Sequence, residues 1–291
     1  MLRAVESLEP ELTRLCQSKS WSLVEERAVS HPHEATPSDV AKAGGGTTVL
    51  ALAIRHGAPI MVIESLSEAR RAQLGIVHKI RGSVLHEAIR HHAPLKTVGY
   101  LVEILVQQEG KYFLGTQDDM ERTPLHHMML KVVNSMDCPG SLWQMIRNLV
   151  LLFPPAIQAF DSDGNTPLML LLLHHDPYRN RGAHDDHVYR IVQLLVTLCP
   201  QAASHSRRVS LQCAHQQPNE EGPTPLTFAL LYGRCEKIIF TLIEASYRAG
   251  INACLKKITG YQETALHVAV SLRYSHEMLK RLVQMEPASL H

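Results

Sequence analysis

Apolar residues fall along this chain in pairs of short runs, and the pairs recur. One run has the spacing i, i+1, i+4, i+5, which lines one face of a helix. It is read as Met61/Val62/Ser65/Leu66, Thr97/Val98/Leu101/Val102, Met145/Ile146/Leu149/Val150, Ile191/Val192/Leu195/Val196, Ile238/Ile239/Leu242/Ile243 and Met278/Leu279/Leu282/Val283. Ahead of each stands a hydroxyl residue, then Pro, Val, or Ala, then Leu: Thr48-Val49-Leu50, Ser83-Val84-Leu85, Thr123-Pro124-Leu125, Thr166-Pro167-Leu168, Thr224-Pro225-Leu226 and Thr264-Ala265-Leu266. The hydroxyl residues lie 35, 40, 43, 58 and 40 positions apart, and both patterns keep step throughout. Such a period marks a repeat architecture.

Asp161 to Leu173, D-S-D-G-N-T-P-L-M-L-L-L-L, shows what one unit contains. Asp-Gly predicts a tight turn, with glycine at positive φ. Thr166 stands at an N-cap, Pro167 at the first helical position, where its missing N–H costs nothing, and Leu168 to Leu173 form a buried helix. Each unit therefore reads as turn, inner helix, connection and outer helix. These residues resemble ankyrin repeats, whose signature T-P-L-H-x-A opens a unit of about 33 residues. The nearest copies are Ser83-Val-Leu-His86-Glu-Ala88, Thr123-Pro-Leu-His126 and Thr264-Ala-Leu-His267-Val-Ala269, and the likeness spans about residues 45–290. Gly57 and Gly233 take the glycine position that ends the inner helix with a left-handed cap.

The resemblance implies an all-α ankyrin-repeat solenoid, an N-terminal cap unit plus six repeats. The cap is expected at 1–44, with Leu8, Leu12 and Leu15 facing inward from a helix over 2–17 and Leu23/Val24/Arg27/Ala28 on its outer helix. The repeats are placed at about 45–79, 80–119, 120–160, 161–203, 220–259 and 260–291. From hydroxyl residue to outer helix the distances are 13, 14, 22, 25, 14 and 14, which marks insertions at 131–143 and 174–187. The connection at 203–221 is expected to be a mobile extended finger. Pro154, Pro200 and Pro287 follow Val150, Val196 and Val283 by four residues, with Ala156, Ala202 and Ala288 close behind; Pro32 repeats the spacing. This ending is similar to that of the divergent ankyrin proteins abundant in diatoms and related algae. The chain stops where another unit would begin: either the last outer helix caps the stack, or, as expected here, the chain is part of a longer array.

Composition changes the picture mainly by exclusion. In 291 residues, 45% are hydrophobic and 20% charged, enough apolar surface for a core. A net charge of +1 gives no general pull toward nucleic acid or anionic membrane. Protonating all 18 histidines would add 18 positive charges, so mild acid should stress the fold. The six cysteines form no Cys-x-x-Cys pair, the N-terminus lacks a signal-peptide core, and the apolar run at Pro167 to Leu173 is far too short to span a membrane. A soluble protein with reduced thiols is expected, cytoplasmic, with a nuclear location left open.

Candidate chemistry is sparse. His174, His175, His184, Asp185, Asp186 and His187 carry metal-ligand types, but no i, i+4 histidine pair or H-E-x-x-H glutamate accompanies them. Gly44-Gly45-Gly46-Thr47-Thr48 lacks the lysine of a phosphate loop, and Cys213 with His215 lacks a third group. In the resemblance, His86, His126 and His267 bond backbone groups and tie one turn to the next. No catalytic residue, cofactor or metal is assigned, and the chain reads as a non-enzyme.

The remaining argument concerns surface. Inner-helix ends and turn tips line the concave face of ankyrin stacks. Arg55, His56, Arg81, Arg90, His91, Arg122, Lys131 and His174 would make a basic, imidazole-bearing stripe there, and Leu231 with Tyr232 an apolar end. The expected function is a scaffold or adaptor that binds another protein or peptide along this groove, an acidic one fitting the stripe, with the chain itself monomeric. The competing readings are metal-dependent activity at 174–187 and nucleic-acid binding through the stripe; near-neutral charge and few aromatics oppose the latter.

Overall fold

The computed structural model of the chain describes residues 11–35, 48–69, 71, 74–77, 80–134, 140–173, 181–206, 222–250 and 264–285. Among them every regular element is helical. Two compact units form, Met1–Asp119 and Met120–His291. The first contains α1 (Glu11–Gln17), α2 (Trp21–Ser30), α3 (Val49–Arg55), α4 (Ile60–Ala69), α5 (Val84–Arg90) and α6 (Leu95–Glu109). The second contains α7 (Pro124–Asn134), α8 (Gly140–Leu152), α9 (Pro167–Leu173), α10 (Arg181–Leu198), α11 (Pro225–Leu231), α12 (Glu236–Arg248), α13 (Ala265–Ser271) and α14 (His276–Met285). In unit 1, α1, α3 and α5 pack side by side as an inner layer, and α2, α4 and α6 as an outer one. In unit 2 the inner layer is α7, α9, α11 and α13; α8, α10 and α12 back it, and α14 packs on α13.

The short inner helices start where the hydroxyl residues place them. Thr48, Thr166 and Thr224 accept from the N–H three residues on, at 3.1, 3.3 and 3.3 Å. Ser83 and Thr264 form capping boxes with His86 and His267. In the turn before α9, Gly164 has φ 78° and the Asp161 carboxylate accepts from the N–H groups of Asp163 (3.1 Å) and Asn165 (2.7 Å). Gly82 shares this conformation at φ 74°, and a Cβ there would also lie 2.7 Å from the His86 ring.

The inner-helix ends repeat as closely as the starts. Gly57 and Gly233 adopt φ 79° and 63°, and Lys19, His92 and Arg273 take the same left-handed position at 57°, 56° and 57°. Each donates its N–H back into the helix, and the following residue does likewise, as Gly57 to Ile54 and Ala58 to Ala53 show. That following residue is a small buried alanine at 58 and 93, but Arg234 and Tyr274 later. Arg234 donates to the carbonyls of Leu171 (2.9 Å) and Leu172 (3.3 Å), and the Tyr274 hydroxyl to that of Leu230 (2.8 Å). Each thus caps the inner helix of the preceding pair, α9 and α11 respectively.

The proline endings have a consistent geometry. Outer helices stop at Ser30, Leu152 and Leu198, two residues before proline. His31, Phe153 and Cys199 then leave the helical region at φ −134°, −140° and −143°, since a following proline disfavours the helical conformation. Pro32–Ala35, Pro154–Gln158 and Pro200–Ala203 form single 3₁₀ turns, with Ala156 and Ala202 buried. Helix α6 ends instead at Gly110, φ 83°.

Several expectations are corrected. In α4 the buried row is Val62, Ile63, Leu66 and Ser67, one residue beyond the quartet read from sequence, and Met61 is 58% exposed. Ser67 tolerates burial because its hydroxyl bonds the Ile63 carbonyl at 2.6 Å. In α1 the inward pair is Leu12 and Cys16, four apart, whereas Leu15 is half-buried; burial pushes the Cys16 thiol up to about 12. Leu23 of α2 is 51% exposed, and on α14 only Met278 and Leu282 of the quartet are buried. The two insertions are partly helix: 131–134 extend α7 by a turn, 140–143 open α8, and 181–187 open α10. Leu8, Gly44 to Thr47, His174, His175, Cys213, His215, Pro287, Ala288 and most of the 203–221 connection lie outside the described residues.

Leu125 on α7 is 2% exposed, and its counterparts Leu50, Leu85, Leu168 and Leu226 are fully buried. Leu125→Ala is expected to cost about 2–5 kcal/mol, read as a lower denaturant midpoint; an unchanged midpoint would contradict this packing. A second prediction concerns pH. Glu34 accepts from both arms of Arg27, with Nε at 3.1 Å, and from the Leu12 N–H at 3.2 Å. The Arg27 bond chiefly holds its carboxyl below the ordinary 4.5. A depressed folded value means the stabilisation is present above the unfolded value and is lost as pH falls through the folded one. The melting-temperature gap between wild type and Glu34→Gln should therefore narrow below about pH 4.5.

Candidate partner-binding face

In unit 1, Arg55 and Arg90 are the last residues of the adjacent inner helices α3 and α5, and His56 and His91 follow them. They do not form a plain basic stripe. Glu87, one turn earlier on α5, is buried and gathers them: Arg55 Nη2 at 3.5 Å, Arg90 Nη1 at 3.6 Å and His91 Nε2 at 3.1 Å. Arg90 Nη2 also meets Asp118 at 2.8 Å. The charges are layered. The carboxylate side chains are 4% and 0% exposed, whereas those of Arg55, Arg90 and His91 are 26%, 33% and 35% exposed. Burial, above all, lowers the His91 pKa; Glu87 raises it, and Arg55, Arg90 and Arg81 lower it. Arg81 stands half-buried in the turn before α5.

In unit 2, Arg122 lies 3.5 Å from Asp161 and 3.7 Å from Asp163. Lys131, on the extra turn of α7, is half-buried, and that burial lowers its pKa. Leu231 closes α11 at 48% exposure, and Tyr232 stacks on Phe228 with ring centroids 6.2 Å apart. The neighbouring α13 adds Val270 (57% exposed) and Leu272 (49%) to this apolar area. His174 falls outside the described residues. A separate crevice of 610 Å³ lies at the outer-helix ends, lined by Pro154, Pro155, Leu198, Pro200 and Arg248 among others.

Sequence reading missed Glu87, Asp118, Asp161 and Asp163. A signal was present. Glu87 stands three residues before Arg90 and four before His91, the helical pair spacings, and Asp118 and Asp161 each stand five residues before a capping hydroxyl.

Of the metal-ligand candidates, His184, Asp185, Asp186 and His187 lie on α10. Asp185 is 4.0 Å from Arg234 and Asp186 4.0 Å from Lys237. No group of three His, Cys, Asp or Glu residues suited to a metal occurs among the described residues. No described helix is long and apolar enough to cross a membrane.

The repeated histidines are structural. His126 Nδ1 accepts from the Thr123 N–H at 3.1 Å, and Nε2 faces the Asn165 carbonyl at 3.3 Å, tying one turn to the next. His86 and His267 make the same Nδ1 contact, at 3.0 and 3.1 Å.

Capped inner helices, antiparallel outer helices and linked turns, repeated along the chain, define an ankyrin-repeat fold. No family model and no curated protein matches the sequence. Among solved structures the chain is similar to the ankyrin repeat domain of Bcl-3, described as a unique member of the IkappaB protein family. Identity is 15%, the match covers 94% of this chain and 97% of that one, and the TM-score is 0.56. At that identity the likeness concerns the fold. The ankyrin-repeat fold is generally a protein–protein interaction module and typically non-catalytic.

The His126 geometry makes a prediction. Nitrogen-15 NMR should show a neutral ring carrying its proton on Nε2, and His126→Ala should lose about 0.5–2 kcal/mol of stability, as for a lost cap. A proton on Nδ1 would rule out this cap.

Proposed function

We propose that the protein is a non-catalytic scaffold or adaptor, working as a monomer in the cytoplasm, that binds another protein through its inner-helix ends and turn tips. The observation that carries this reading is the layering in unit 1. Buried Glu87 and Asp118 hold Arg55 and Arg90 from beneath, so the outward layer is cationic and pre-oriented. Holding long side chains in advance lowers the entropy lost on binding. In unit 2 the ends of α11 and α13 are apolar, at Leu231, Tyr232, Val270 and Leu272. An acidic segment suits the first surface and apolar anchors suit the second.

The test compares the intact chain with an Arg55→Gln/Arg90→Gln double variant against a partner isolated by affinity capture. Glutamine is chosen because glutamate would set a new carboxylate against Glu87. The double variant should bind about tenfold more weakly or worse, with unchanged helicity by circular dichroism. Equal affinity would remove this surface from the reading.

A further inference from the structure

His91 stands in the outward layer of the unit 1 cluster without adding a fixed charge. Two guanidiniums, Arg55 and Arg90, face two carboxylates, Glu87 and Asp118. While the imidazole is neutral these four charges balance, and its Nε2–H donates to Glu87 at 3.1 Å. Proton uptake at Nδ1 leaves that bond in place and gives the cluster one net positive charge. The new charge sits on a side chain 35% exposed, not among the buried carboxylates.

We propose that docking of an acidic segment on this face is proton-gated through His91, binding becoming tighter as the imidazole gains its proton. The proposal rests on the interaction reading above and adds its regulation. The groups around His91 come from each neighbouring element. Helix α5 supplies Glu87 and Arg90, α3 supplies Arg55 and His56, and the turn before α5 supplies Arg81; α6, also packed on α5, carries Lys96 in its first turn, and Asp118 lies beyond Arg90. Glu87 favours the protonated ring, while the arginines and burial oppose it. Burial is the largest influence, so the ring is neutral above its ordinary 6.5 and the gate operates on the acid side of that value.

The probe is fluorescent poly-L-aspartate, whose carboxylates stay ionised above about pH 5. Its binding to the full chain is followed by anisotropy from about pH 7.5 to 5.5 at low salt, where surface charge is least screened. Wild type should tighten about three- to tenfold on acidification. His91→Gln should lose most of that gain whatever its affinity at neutral pH, the readout being the ratio of affinities at the two ends of the range, and His91→Arg should bind at neutral pH as wild type does in acid. Circular dichroism at each pH checks folding, and the His91 ring proton signals should shift on probe addition in wild type. A full pH gain in His91→Gln would overturn the gate and leave the interaction reading standing. Binding unaffected by Arg55→Gln/Arg90→Gln, or none at any pH, would overturn both.

Discussion

An inner helix of seven residues, two turns, cannot stand alone in water, because nucleating a helix costs more than so few hydrogen bonds return. The seven-residue helices α3, α9 and α11 exist because inner helices pack against each of them from both sides. Leu50, Leu168 and Leu226 reach full burial in that arrangement, and a hydroxyl cap satisfies an orphan N–H at the start of each of these helices. On α13, where no further described helix covers the outer flank, Leu266 is half-buried and His267 exposed. The same sequence pattern therefore gives different burial according to what stands beside it.

That dependence explains why the ends of inner helices are so regular. The left-handed residue after α1, α3, α5, α11 and α13 turns the chain toward the outer helix, and after α11 and α13 the next residue is held against the preceding pair. At 58 and 93 that next residue is a buried alanine. With Arg234 and Tyr274 the contact is a hydrogen bond onto helix carbonyls left without intrahelical donors. Desolvation lowers the Arg234 pKa, which the nearby Asp185 offsets in part, so this guanidinium depends on its carbonyl partners and on that carboxylate. The regular scaffold then leaves the residues just before the turn, Arg55, Arg90, Leu231 and Ser271, as the places where units can differ without disturbing packing.

The layered charge cluster shows how such a position becomes specific. Arginines on a surface are ordinarily mobile, and isolated pairs contribute little. Buried carboxylates beneath them change this, since a carboxylate withdrawn from water needs its partners in place. Unit 1 thus spends two acidic residues on orienting two basic ones.

Local chemistry was legible without coordinates. The hydroxyl caps, Pro167 opening its helix and the positive φ of Gly57, Gly164 and Gly233 all follow from short-range sterics and hydrogen bonding, which residue types encode directly. The outer-helix faces of α6, α8, α10 and α12 were equally readable, because bulky apolar residues at helical spacing admit one buried side. Where side chains were ambiguous the reading slipped, as in α4, because Met61 and Ile63 compete for the core and only the neighbouring helices choose. The site was legible in half: the cations stood at a fixed place in each unit, but their pairing with Glu87, Asp118 and Asp161 spans turns and neighbouring helices. Sequence by itself determined which residues begin, end and repeat, since those depend on a few consecutive bonds; tertiary structure alone decided which charges are paired and which remain at the surface, since that depends on what the packing of separate helices leaves open to water.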